Sequence, residues 1–337
     1  MVVYPTSAPP GRGREVVLDL PQHASVGALS RELAREGIVD RPWAFAAYMR
    51  VLGAGSRLRT GPVTVSDRMT PHELVQQIAV GFGRARVRVT IPEGWSRFDI
   101  ARRLADRGVC TSDAFLAATV DPAVIASHGV EATSLEGYLF PDTYELGQDV
   151  PAHEVVDAMV RNFHRRTEPL LEENRDGSTA LSRDLGFTMH EVVTLASIVE
   201  KEAAVRDERP VIAGVFLNRL RSPTFRPQRL QADPTVSYGC LASPEVSDAC
   251  RAFDGRDITR AMLSDRANPY NTYRREGLPP GPIANPGAES IRAVLAPAVH
   301  DYLYFVARGG GRHAFSATLD QHNGAVRRHV LGGEQGQ

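Results

Sequence analysis

The sequence has no surplus of charge of either sign: 39 Lys and Arg stand against 40 Asp and Glu, a formal net charge of −1. A nucleic-acid binder would show a basic excess or stripe, so that class is excluded. No run of about 18 apolar residues occurs, so no segment as written spans a membrane. The opening stretch, Met1 to Arg14, carries Pro, Gly and Ser without the apolar stretch of a signal peptide. It is expected to be a disordered leader or a juxtamembrane remnant. Cysteine is scarce, with three in the chain. With no CxxC and no neighbouring His pair, a zinc site is not expected, and neither a metal nor a cofactor is called for. Cys110 stands alone. Cys240 and Cys250 lie in one polar stretch, and two free thiols or a disulfide closing a short loop both fit; the disulfide would add roughly 2–3 kcal/mol in an oxidising compartment.

What remains is an ordinary globular composition, 42% hydrophobic and 23% charged over 337 residues, enough for two domains. The first half repeats itself. Val17-Leu18-Asp19-Leu20-Pro21, then Ser25, Leu29 and Gly37-Ile38, recur as Arg88-Val89-Thr90-Ile91-Pro92, then Ser96, Ile100 and Gly108-Val109. Each copy reads as a strand ended by Pro, a helix capped by Ser, and a Gly stop. A second helix follows each, Arg41–Leu52 and Ser112–Thr119. Gly61–Val65 reads as a strand, and Thr70-Pro71 opens a helix to Val80. Such duplication points to a binding or spacing module, not to chemistry.

The second half is helical at first. Helices are expected over 152–174, 188–204 and 210–221, with a linker over 174–179. Beyond Arg221 turns dominate, with one strand over 302–307 and a last helix over 318–331. The fold class is therefore α+β. Placed at about 100° per residue, Glu200 and Glu202 both fall within the apolar arc of their helix. Burial of a carboxylate is costly unless it is paired or protonated. Either the two acids tie helices together through Arg206, Arg209 or Arg219, or one is a general acid with a raised pKa. Farther on, Gln231, Asp233, Tyr238, Asn271 and Tyr273 are of types that read sugar hydroxyls and stack on sugar faces. They stand among Pro- and Gly-rich segments suited to groove walls.

At this point the segments LEGYLFPDTY from Leu135, LASIVEKEA from Leu195, VFLNRL from Val215 and LQADPTVSYG from Leu230 form a pattern. NPYNTYRREGLPPGPIANPG from Asn268 and YLYFVARGGGRHAFSATLDQHN from Tyr302 complete it. In type and order they resemble the MltG-type (YceG-like) endolytic murein transglycosylases over about residues 88–330. The resemblance implies a cut of the β-1,4 bond between N-acetylmuramic acid and N-acetylglucosamine that leaves a 1,6-anhydro end. It makes Glu200 the acid and then the base, and places Gln231, Asp233, Tyr238, Asn271, Tyr273, Asn218 and Glu136 at the substrate. Glu136 and Asp233 are the candidate second carboxylates. It also implies a LysM-like subdomain within 15–130, a catalytic domain over 131–332, an envelope location, glycan strands as substrate and peptidoglycan synthases as partners. The membrane helix usual in that family has no counterpart in this sequence, and the stretch from Cys240 to Asp265 resembles an insertion. In an exported protein Cys240 and Cys250 would pair. A hydrolytic muramidase, and a glycan-binding scaffold without catalysis, are the alternatives.

Overall fold

The computed structural model describes residues 13–21, 24–58, 60–79 and 86–331. The leader expected over 1–14 lies outside them except for Gly13 and Arg14. Contacts divide the chain into two compact units. One holds 1–89, 104–110 and 145–151, and the other holds 90–103, 111–144 and 152–337. From Thr90 onward, most of the second repeat copy thus belongs to the larger unit.

The smaller unit follows the alternation of its sequence. β1 (Glu15–Leu20) turns Leu18 and Leu20 inward; α1 (Val26–Arg35) follows, with the Ser25 hydroxyl accepting from the Ala28 amide as its cap. α2 (Pro42–Val51) starts at a proline, which suits the first turn of a helix because no N–H is needed there. β2 (Gly61–Ser66) returns antiparallel to β1, pairing Leu18 with Val63 and Val16 with Val65. α3 (Pro71–Ile78) starts from a capping box between Thr70 and Glu73. Leu29, Leu33, Phe45, Met49, Leu74 and Ile78 close one core beneath this two-stranded sheet. The alternating residues of each strand therefore have a single apolar face to bury.

The second copy begins with β3 (Arg86–Thr90), followed by α4 (Arg97–Asp106), α5 (Ser112–Ala118) and α6 (Pro122–Ser127). β3 pairs with β4 (Thr143–Gly147), so this copy too closes a two-stranded sheet around helices. In the larger unit α7 (Ala152–Glu173) buries Val155, Val156, Met159, Val160 and Phe163, the face its periodicity marks out. α8 (Arg175–Leu185) replaces the expected linker. Gly177, which reads as a breaker, is there for space: a Cβ would sit 1.8 Å from the Leu295 carbonyl oxygen. α9 (Met189–Glu202) and α10 (Arg209–Arg221) follow as expected.

The region read as turns holds more regular structure than its sequence announces. α11 (Asp233–Ala242), with Pro234 in its first turn, stands where turns are expected to dominate. α12 (Asp248–Arg251) and α13 (Arg260–Ser264) are short, and α14 (Ala288–Leu295) packs against α7, α9 and α10. β5 (Tyr304–Gly309) gains an unforeseen partner, β6 (Arg312–Ser316), across a turn in which Gly309, Gly310 and Gly311 all have positive φ. α15 (Leu319–Val326) ends in a wider π-type turn over Arg327–Leu331.

Cys240 and Cys250 are joined in a disulfide, and with Val236 and Met262 they form a small separate core. That core clamps the far end of α11. Cys250→Ser is expected to cost about 2–3 kcal/mol. Thermal unfolding with and without reductant checks this: a Tm drop on reduction, absent in the variant, is the expected result, and no drop in the native protein refutes it. Among the described residues no helix is long and apolar enough to cross a membrane.

Candidate active site

α9 begins with a capping box, the Thr188 amide donating to Glu191 Oε2 at 2.8 Å, and every residue from Val192 to Val199 is buried. The helix is thus fixed along its whole length, and its last turn presents two glutamates in two different surroundings.

Glu200 turns inward, its side chain 5% exposed. It accepts from Arg209 at 2.7 Å, from the Ser290 hydroxyl at 2.7 Å and from the Gly287 amide at 3.1 Å. Gly287 is the N-cap of α14, so the positive end of that helix faces the carboxylate. Arg209 is itself buried. It reaches Glu93 at 3.3 Å, and its Nε and Nη1 have no partner among the described residues. This is the helix-tying ion pair that burial of Glu200 allowed as the plainer of two readings.

Glu202 is the terminal residue of α9, partly buried, and its carboxyl takes no hydrogen bond or ion pair from the described residues. Burial and the nearby Asp233 carboxylate raise it from the usual 4.5 to about 7, while the charge of Arg219 works against them. The negative end of its own helix dipole also disfavours a carboxylate there. A carboxyl near neutrality with free oxygens can give up a proton and take one back.

Two of the sequence-nominated residues, Asp233 and Tyr273, lie beside it, and a third, Gln231, stands two positions before Asp233. Asp233 opens α11, is exposed, and accepts from the Tyr273 hydroxyl at 2.5 Å. Tyr273 is partly exposed, and both carboxylates act on its hydroxyl. Gln231 is exposed, with φ of +54°, a left-handed conformation that side chains other than Gly rarely adopt. It is held there from both sides. The Gln231 amide donates to the Thr272 carbonyl at 3.2 Å and the Ala232 amide to the Thr272 hydroxyl at 3.0 Å. Leu230 offers its carbonyl to Arg219.

Of the other four, Glu136, Tyr238 and Asn271 lie inside the protein and Asn218 is half-buried. Glu136 is 0% exposed and accepts from the Arg97 amide at 3.0 Å and from Asn285 at 2.8 Å. Burial pushes it to about 7, yet it is enclosed and cannot touch a substrate. Tyr238 is buried, its ring centroid 5.0 Å from that of Tyr270 and 6.2 Å from that of Phe98. Asn271, also fully buried, donates to the carbonyls of Met262, Leu263 and Asp265. Asn218 donates to those of His300 and Tyr302 at 2.8 and 3.1 Å. The side-chain amides of Asn271 and Asn218, which could read sugar hydroxyls, are spent on bracing the chain, because buried backbone carbonyls must be satisfied.

Asn285, which sequence reasoning passed over, and Arg219, which it weighed only as an ion-pair partner for the two glutamates, complete the frame. Asn285 accepts from the Gly137 and Leu139 amides, both at 2.9 Å, and donates to the Trp95 carbonyl and to Glu136. Arg219, 6% exposed, lies under the Gln231 segment. The available signal was a polar residue in an apolar run: Asn285 after Ile283-Ala284, and Arg219 between Leu217 and Leu220. Among the described residues no group of three or more His, Cys, Asp or Glu stands ready to hold a metal ion.

Comparison with known proteins places this geometry in a family. The chain is similar to the endolytic murein transglycosylase of Bacillus subtilis, 29% identical over 94% of this chain and 85% of that one. It is similar also to the endolytic murein transglycosylase of Streptococcus pneumoniae, 28% identical over 94% of this chain, and spans 58% of that longer protein. Its fold resembles the crystal structure of a YceG-like protein from Listeria monocytogenes, with a TM-score of 0.58 and 30% identity, covering 93% of this chain and 99% of that one. Residues 18–328 match the family model described as the YceG-like family, and the chain belongs to that family.

Proposed function

We propose that the protein is an endolytic lytic transglycosylase of peptidoglycan, working in the cell envelope, and that Glu202, not Glu200, is its acid and base. The observation that carries this reading is the contrast between the two carboxyls: Glu200 is filled by donors, whereas Glu202 has free oxygens and a pKa raised to about 7 beside exposed sugar-reading groups. In the reaction Glu202 gives its proton to the oxygen bridging N-acetylmuramic acid and N-acetylglucosamine. The C1–O bond breaks, and positive charge develops at C1. The C6 hydroxyl of the same sugar then attacks C1 while the Glu202 carboxylate removes its proton. A 1,6-anhydro ring closes, the acid is regenerated and no water is consumed. Gln231 and Tyr273 hold the sugars, and Asp233 faces the developing cation.

One observation favours a second reading. Asp233 is close enough to Glu202 to raise it, and a pair of carboxylates is what a hydrolase needs. Mass spectrometry of products from purified glycan strands separates the two. The transglycosylase leaves ends one water lighter than reducing ends, and Asp233→Asn keeps that product at a reduced rate. Reducing ends alone, abolished in Asp233→Asn, would establish a muramidase. The strand–helix–helix–strand order of β1, α1, α2 and β2 supports a LysM-like, glycan-associated role for the smaller unit, which we likewise propose.

A further inference from the structure

We infer that Arg219 is a positioning residue for this reaction: it pins the segment from Leu230 to Asp233 beside Glu202 and supplies the positive charge that Glu202 faces once its proton has gone. The inference rests on the Glu202 reading and extends it to a residue that does not touch substrate. Arg219 stands on α10, buried, yet its donors do not go to a carboxylate. Nε donates to the Leu303 carbonyl at 2.7 Å and Nη1 to the Leu230 carbonyl. The guanidinium is surrounded by the rings of Phe216, Phe225, Tyr304 and Phe305, with centroids 5.4 to 5.9 Å away. Ring faces favour a cation but do not neutralise it. Its charge is therefore available to neighbouring groups.

Three neighbours register that charge: Glu202, His322 and, against larger opposing effects, Tyr273. Burial and Asp233 raise Glu202 while Arg219 lowers it. On α15, burial and then Arg219 lower His322, which stacks on Tyr304 with centroids 5.2 Å apart. Burial in turn brings Arg219 down to about 10, so it stays charged throughout the neutral range. The charged and titratable groups facing Glu202 are Asp233 from α11, Arg219 from α10 and Tyr273 from the loop between α13 and α14; Arg219 additionally faces Tyr304 of β5 and His322. Asp233 disfavours loss of the proton and Arg219 favours it. Without Arg219, Glu202 would hold its proton more firmly. The two donated hydrogen bonds add a geometric part. Leu230 immediately precedes Gln231, whose left-handed backbone needs both flanks held.

The test uses the full chain and purified glycan strands, with rates of strand cleavage measured from roughly pH 5 to 9 for Arg219→Met, Arg219→Gln and Arg219→Lys. Cleavage needs protonated Glu202, so kcat/KM falls as pH rises past about 7. In both neutral variants the midpoint of that fall is expected to move up by about one pH unit, with a rate loss of roughly tenfold at low pH. Arg219→Lys returns the midpoint to its native position. A rate loss with an unmoved midpoint in both neutral variants overturns the inference and leaves Arg219 a packing residue. Arg219→Gln keeps a donor for the Leu230 carbonyl, so the question survives if Arg219→Met fails to fold. Glu202→Gln tells the two failures apart. If that variant still cleaves, the acid assignment itself falls; if it is inactive and the midpoint has not moved, only the role of Arg219 falls.

Discussion

Glu202→Gln is expected to lower glycan cleavage by at least about a thousandfold while making the protein harder to unfold above neutral pH. The activity loss follows from removing the only proton donor proposed for the leaving oxygen, since general acid catalysis is worth about 10²–10⁴. The stability gain follows from the sign of the pKa change. Glu202 binds its proton more tightly folded, at about 7, than at its ordinary 4.5. Its contribution to stability is therefore complete below about pH 4.5 and is lost as pH rises through 7. Gln has no such proton to lose. At pH 8 the variant should melt about 2 °C or more above the native protein, and at pH 5 the two should nearly coincide. Glu136, which burial also brings to about 7, gives a pH dependence of the same sign and keeps it in the variant. An active Glu202→Gln, or one less stable at pH 8, would falsify the assignment.

Glu200→Gln should behave in the opposite way. Removing one partner of a buried ion pair leaves the other uncompensated, at a cost of about 3–5 kcal/mol. Here the partner left behind is Arg209, whose Nε and Nη1 already lack partners and whose remaining acidic neighbour, Glu93, is at 3.3 Å. The α14 N-terminus also loses the carboxylate that its Gly287 amide and Ser290 hydroxyl reach. A Tm decrease of at least about 5 °C is expected, with measurable cleavage at permissive temperature. Arg209→Met in the same chain should recover part of the loss, because the two effects are coupled through one contact. A stable, well-folded and inactive Glu200→Gln would return the acid role to Glu200.

That pair of glutamates shows how far sequence carries. Periodicity places both acids in the apolar arc of α9, and the structure buries both, one fully and one in part. It cannot say which meets a counter-ion, because Arg209, Ser290 and Gly287 come from other parts of the chain. The elements whose patterns are local were legible: β1, α2, α7 and the duplicated strand–helix–helix units. α8 was hidden by Gly177, whose purpose is a close approach to Leu295 more than a hundred residues away. α11 was hidden by Asp233-Pro234, which serves a helix start as well as a turn. The same limit governs the sugar-reading residues. Asp233 and Tyr273 stand near Glu202, whereas Asn271 and Asn218 are consumed by carbonyls that sequence spacing does not bring to notice.

Asn285 sets an order of events during synthesis. It donates to the carbonyl of Trp95, 190 positions earlier, and holds the amides of Gly137 and Leu139. At about 5–20 residues per second a ribosome needs roughly 10–40 s to reach Asn285 after Trp95. Until then the Gly137 and Leu139 amides lack their partner, although α9 with both its glutamates has already been made. A chain released early therefore carries the reactive helix without the frame that seats it.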